Sequence, residues 1–150
     1  FIHEYGHHVD YEARAAFVGL TDRKAWSASN DAFKSAWAAD RVENGFEISR
    51  GESYKDLAGT WKDRLARLPE DEAGYVSDIL DSFAKGELYN SYGFFGHGVG
   101  YYSNVSMRYK ETFANLYALQ GKGKTWSSMQ RWFPELTALY EKQVKEWIGD

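Results

Sequence analysis

Three absences narrow the functions open to this 150-residue chain. It contains no cysteine, which excludes disulfides, thiolate zinc ligands and a cysteine nucleophile. Its net charge is −4 and it has no basic stripe, so we expect no nucleic-acid partner. No apolar run approaches the roughly 20 residues that cross a bilayer, so we expect no membrane partner either.

The composition indicates an ordered globular protein. Hydrophobic residues make up 43% of the chain and aromatic residues 17%, which is too apolar for a disordered segment. A chain of 150 residues suits one domain with a proper core. The apolar residues recur mostly at helical spacing, so the sequence predicts a single, mainly α domain over residues 1–150 (α+β with little strand).

Helix boundaries follow from capping residues and glycines. Ser29 or Asn30 is suited to cap a helix over 31–42, and Ser53 with Asp56 forms a capping-box pattern before another. The region 86–105 is rich in glycine and predicts a loop or an irregular hairpin, and 46–48 predicts a short extended piece. The other predicted helices cover residues 1 to about 19, 53–68, 69–86, 106–119, 125–133 and 134–148.

The octet F-I-H-E-Y-G-H-H at residues 1–8 contains the pattern H-E-x-x-H. On a helix, His3 and His7 lie on one face about one turn apart, so both imidazoles can bind one Zn²⁺. Glu4 directly follows the first imidazole and can act as general base on a metal-bound water. The alternative is a helix that carries two histidines by chance, but three of the four histidines of the chain lie in this octet.

A catalytic zinc usually has three protein ligands, and here the third must be His, Asp or Glu. His8 projects about 100° away from His7, and the short side chain of Asp10 suits a hydrogen-bond partner of a ligand better than a ligand. The third ligand of the metzincin class would fall at Ala13, which excludes that class. Glu111 remains the strongest candidate, although a glutamate near a helix start is commonly a surface residue.

These motifs resemble a known family. The string H-E-Y-G-H-H-V-D-Y, followed much later by E-T-F-A at residues 111–114, resembles the gluzincin zinc metallopeptidases. Within them it is most similar to the lethal-factor-type catalytic domain, with motifs H-E-[FY]-G-H-x-[VI]-D and E-[AF]-F-A. Similar domains occur in phage minor head proteins of the Mu F-like group and in related toxins. The resemblance covers the first helix and residues 78–119.

The resemblance implies a zincin-like helical metallopeptidase domain whose strands would lie upstream, so we expect a C-terminal fragment of a longer protein. It implies Zn²⁺ as cofactor, held by three ligands, with a base that deprotonates water and a tyrosine that supports the oxyanion. Asn115 would orient a histidine ligand. Position by position, the ligands are His3, His7 and Glu111, the base is Glu4, and the tyrosine is Tyr102 in preference to Tyr101.

His97, between Gly96 and Gly98, either stabilises the transition state or has no catalytic part. The aromatic residues of 89–102 line a peptide groove or fill the core. The leading function is a zinc-dependent endopeptidase acting on a peptide or protein substrate. The alternatives are a virion structural module that retains a metal site and contacts other virion proteins, or an effector toxin with one host target. The sequence leaves the localisation open, with a virion-associated or secreted protein as the expectation.

Overall fold

A computed structural model describes residues 2–18, 25–47, 53–93 and 96–149. The residues in these ranges form α-helices and no β-strand, which confirms the predicted mainly α class. None of the described helices is long and apolar enough to cross a membrane. The helices are α1 (Ile2–Val18), α2 (Trp26–Ser29), α3 (Asp31–Glu43), α4 (Tyr54–Ala66), α5 (Glu70–Phe83), α6 (Glu87–Tyr92), α7 (Gly98–Tyr102), α8 (Val105–Leu119), α9 (Lys124–Trp132) and α10 (Pro134–Ile148).

Side-chain caps define the starts of the predicted helices. The Asn30 side chain accepts the Phe33 N–H at 3.0 Å, so Asn30 and not Ser29 caps α3. Ser53 and Asp56 form the complete capping box of α4, which ends two residues before the predicted boundary. The predicted end of α1 near Gly19 and the last residue of the extended piece at 46–48 lie outside the described residues.

The prediction of a loop or hairpin over residues 86–105 is wrong. The structure forms α6 and α7 there, and α2 is a further short helix that was not predicted. Gly86 (φ 92°) and Gly93 (φ 71°) adopt left-handed backbone at the two ends of α6, where such residues begin or end a helix. The glycines therefore separate short helices instead of preventing them.

Helix α8 is the centre of the domain core. All residues from 111 to 116 are buried, and the helix packs against α1, α2, α3, α5 and α7. At the far side of the core, the buried Asp40 carboxylate accepts the N–H groups of Glu135 (3.1 Å) and Leu136 (2.7 Å) and fixes the start of α10. The buried aromatic residues include Trp26, Phe33, Trp37, Phe46, Trp61, Phe83, Phe113 and Phe133.

Gly6 allows α1 to lie directly against α8. A Cβ at this position would lie 3.0 Å from the Ala114 Cα and 3.0 Å from the Tyr117 Cβ, closer than ordinary contacts. Because the Ala114 atom belongs to the backbone, it can move aside only if a helix shifts. The two helices therefore meet backbone to backbone at Gly6, within one turn of both histidines of the H-E-x-x-H motif.

We expect Gly6→Val to lower the free energy of unfolding by about 1–3 kcal/mol more than Gly59→Val, as overpacking of a well-packed core typically does. Gly59 is also a mid-helix glycine, but a Cβ there meets the Tyr92 hydroxyl at 2.6 Å, the far end of a movable side chain. Urea unfolding of the two variants measures the difference. Equal losses would contradict the close approach.

Candidate metal centre

Helices α1 and α8 bring the three predicted ligands together. His3 Nε2 lies 3.0 Å from Glu111 Oε2, and His7 Nε2 lies 3.0 Å from Glu111 Oε1. The two imidazole rings face each other edge to face, with centroids 4.9 Å apart. His3 and Glu111 come from positions 108 residues apart, and the packing of α1 on α8 makes them neighbours.

The donor atoms fit a zinc ion. Both His3 Nε2 and Glu111 Oε2 are buried and have no hydrogen-bond partner, although they lie close to each other. Two atoms that bind one tetrahedral zinc at about 2 Å are roughly 3.3 Å apart, near the observed spacing. Nitrogen and carboxylate oxygen are also donors that zinc accepts. The spacing of these two atoms therefore suits a shared cation, and His3 belongs to two groups of donors close enough to hold one, first with Glu4 and His7 and second with Asp78 and Glu111.

The charge state of the carboxylate suits a ligand. Burial raises the pKa of Glu111, but the adjacent His3 and His7 imidazoles and the Tyr101 hydroxyl lower it more, and the net pKa lies well below its usual value. For His3, burial lowers the pKa, but the nearby Glu111 and Asp78 carboxylates raise it above its ordinary value. A cation bound here would therefore compete with a proton at His3 and meet an ionised Glu111.

Glu4 lies at the edge of a cleft beside the ligands. Its side chain is 79% exposed, and Oε1 is 3.4 Å from His3 Nδ1. The cleft has a volume of about 510 Å³ and lies between α1, α5 and the segment before α7, with Asn115 of α8 also lining it. Glu4 is therefore open to a water or substrate, and it also lies close enough to His3 and His7 to complete a group of three possible donors.

The two candidate tyrosines have different partners. The Tyr101 hydroxyl donates to Glu111 Oε1 at 2.7 Å, whereas Tyr102 is fully buried and its hydroxyl donates to Asp78 Oδ1 at 3.1 Å. Burial raises the pKa of both phenols, so both remain protonated. Tyr101, and not the preferred Tyr102, is the tyrosine that contacts the ligand set.

Asp78 of α5 is a member of the site that the sequence analysis missed. Its Oδ1 lies 3.1 Å from His97 Nδ1, and the other imidazole nitrogen, Nε2, lies 3.5 Å from Glu111 Oε2. Asp78, His3 and Glu111 also form a group of donors close enough to hold a cation. The sequence feature that could have indicated this role is the pair Asp78 and Asp81, three residues apart, beside the apolar face of a predicted core helix.

Two predicted supporting roles are wrong. The Asn115 amide donates to Asp78 Oδ2 at 2.5 Å, so it orients Asp78 and not a histidine ligand. The Asp10 carboxylate accepts the backbone N–H and the hydroxyl of Ser27, at 2.7 and 2.5 Å, and so ties α1 to α2. Both polar side chains are satisfied by partners on other helices.

Comparison with known proteins finds no matching family model, no matching curated protein and no matching solved structure.

We expect the chain to bind one equivalent of zinc. His3→Ala, His7→Ala and Glu111→Ala should each lower the affinity by more than the 10- to 100-fold typical of losing an outer partner, because each removes a direct donor. His8→Ala is the control: its ring lies 5.6 Å from Tyr5, on another face of α1, and its removal should leave the affinity unchanged. Metal analysis and competition with a chelator measure these values. Unchanged affinity in Glu111→Ala, with loss in Asp10→Ala, would refute the ligand set.

Proposed function

We propose that this chain is a zinc-dependent endopeptidase of the gluzincin type on a zincin-like helical scaffold. The observation that supports this most is the convergence of His3 and His7 with the buried Glu111, while the exposed Glu4 stands beside them in a cleft. This is the chemistry of a metal site with three protein ligands and an adjacent base. The substrate is a peptide or protein.

Each residue has a task in peptide hydrolysis. His3, His7 and Glu111 would hold the zinc, which when bound polarises a carbonyl and lowers the pKa of water. Glu4 accepts the proton of the attacking water and passes it to the leaving amine, as a general base that then acts as an acid. Its exposure allows it to reach both partners across the cleft.

Tyr101 is better placed than Tyr102 to support the developing oxyanion. Its protonated hydroxyl lies at the ligand carboxylate, and its ring stacks on His97 with centroids 4.5 Å apart. The His97 side chain is 34% exposed and borders the cleft, so it provides a second polar group for the substrate carbonyl. We therefore assign to Tyr101 the role that the resemblance implied for Tyr102.

A virion structural module with a metal site is the alternative, with other virion proteins as partners. A structural zinc site is usually closed by four protein ligands and needs no base. Here an exposed Glu4 stands next to a three-residue ligand set, at a cleft open to solvent. These features favour turnover, whether in a virion protein or in an effector toxin.

We expect Glu4→Gln to keep the zinc and the fold but to lower peptide hydrolysis by about 10²- to 10⁴-fold, because it removes the base and not a ligand. Glu12→Gln, an exposed glutamate further along α1, should remain as active as wild type. A diverse peptide library, extended to virion proteins if the gene is viral, reports the activity. A Glu4→Gln variant as active as wild type would refute the mechanism, and a zinc-loaded wild type that cleaves nothing would favour the structural module.

The Tyr101→Phe and Tyr102→Phe variants should differ in their effects on kcat and on stability. Tyr101→Phe should lower kcat about 10²-fold with little change in KM, because its bond to the oxyanion forms mainly in the transition state. Tyr102→Phe removes a buried hydroxyl from Asp78 and should mainly cost stability, on the order of 1 kcal/mol. Steady-state kinetics and urea unfolding measure both. A kcat loss confined to Tyr102→Phe would assign the oxyanion role to Tyr102 instead, as the resemblance implies.

A further inference from the structure

The Asp81 carboxylate of α5 accepts backbone N–H groups from two places in the chain, Tyr89 in α6 and the residues at His97. Its Oδ1 accepts the Tyr89 N–H at 3.1 Å, and its Oδ2 accepts the N–H groups of His97 at 3.0 Å and Gly98 at 3.3 Å. The Asp81 side chain is fully buried. One carboxylate thus accepts three backbone N–H groups, two of them from His97 and the residue that follows it.

The glycines on either side of His97 follow from this arrangement. A Cβ at Gly96 would overlap the Asp81 carboxylate, so only glycine lets the backbone pass at this point. Gly98 has a φ of 82°, which is left-handed backbone that side chains disfavour. The motif Gly96-His97-Gly98 is therefore shaped to fit Asp81.

Asp78, one turn before Asp81, fixes the imidazole ring. It lies 3.1 Å from Nδ1, which leaves Nε2 directed at Glu111, 3.5 Å away. The Tyr102 hydroxyl lies 3.3 Å from the same Nδ1 and adds a second contact on that side. Two aspartates three residues apart thus hold the backbone and the ring of one residue.

We propose that Asp81 is a positioning residue that sets the His97 imidazole at the metal centre. A carboxylate suits this task because both of its oxygens accept hydrogen bonds, whereas an asparagine would turn an NH₂ group toward one of the N–H donors. Burying a carboxylate without a cationic partner is costly, and three N–H bonds offset that cost. The consequence for turnover rests on the proposed function, whereas the placement of the ring does not.

The placement is tested by NMR of the full chain loaded with Co²⁺, a paramagnetic substitute for zinc. The chain has only four histidines, so labelled histidine gives a simple spectrum, and His97→Ala assigns the signal. In the wild type we expect the His97 ring signals to be shifted by the metal by an amount set by the distance and direction of the ring from it. Asp81→Asn should lose the His97 shift while the signals of His3 and His7 keep theirs.

Asp40→Asn is the matched control. Asp40 is also a fully buried carboxylate that accepts backbone N–H groups, but it serves the start of α10, away from His97. Its loss should lower stability as Asp81→Asn does and leave the His97 shift in place. This comparison separates a local positioning effect from general destabilisation.

Turnover gives a second readout. His97→Ala and Asp81→Asn should each lower kcat by about 10²-fold, and the double variant should fall no further, because both changes remove the same group from the site. Asp40→Asn should keep the wild-type kcat. Losses that multiply in the double variant would show that Asp81 acts by another route.

The outcomes separate this proposal from the proposed function. If Asp81→Asn keeps the His97 shift, or if the chain takes up no Co²⁺, the positioning role is overturned. If no peptide is cleaved, the proposed function fails, and the Co²⁺ spectra still decide the position of the ring. If Asp81→Asn does not fold, Gly96→Ala replaces it, since its Cβ displaces the carboxylate; a retained His97 shift there would equally refute the proposal.

Discussion

The close approach of α1 to α8 at Gly6 is the constraint on which the candidate site depends. Packed helices commonly lie 8–10 Å apart, and short side chains reach a common point only when the backbones are near. At Gly6 a methyl group would already lie 3.0 Å from the Ala114 Cα. That contact places His3 and His7 against Glu111, so the packing of the two helices adds a buried carboxylate to the donor group of His3, Glu4 and His7 that α1 already carries.

Around this contact the domain buries three carboxylates in one region, although an unpaired buried charge is costly. Asp81 is satisfied by backbone N–H groups, and Asp78 by His97, Tyr102 and Asn115. Glu111 differs, because its Oε2 has no hydrogen-bond partner. A cation bound at Glu111 Oε2 would offset the remaining cost of burying that charge. The candidate metal site and the segment that carries His97 are therefore parts of one electrostatic arrangement.

Sequence reasoning succeeded where the physics is local. The caps at Asn30 and Ser53 were predictable because a cap depends on residues within one turn. The pairing of His3 with His7 follows from helical spacing, and Glu111 was the strongest candidate for a third ligand, but no local feature of the sequence shows that α8 packs against α1. The short helices α6 and α7 were missed because a glycine indicates where a helix begins or ends, but not whether the residues between two glycines are helical. The choice between adjacent tyrosines, and the role of Asp78, depend on contacts with distant helices.

Anomalous diffraction at the zinc absorption edge, from crystals of the zinc-loaded chain, tests the central claim most directly. The account predicts one strong peak about 2 Å from His3 Nε2, His7 Nε2 and a Glu111 oxygen, with Glu4 outside the ligand sphere and a water in the remaining position. No peak, a peak elsewhere in the domain, or a fourth protein ligand that closes the site would contradict it.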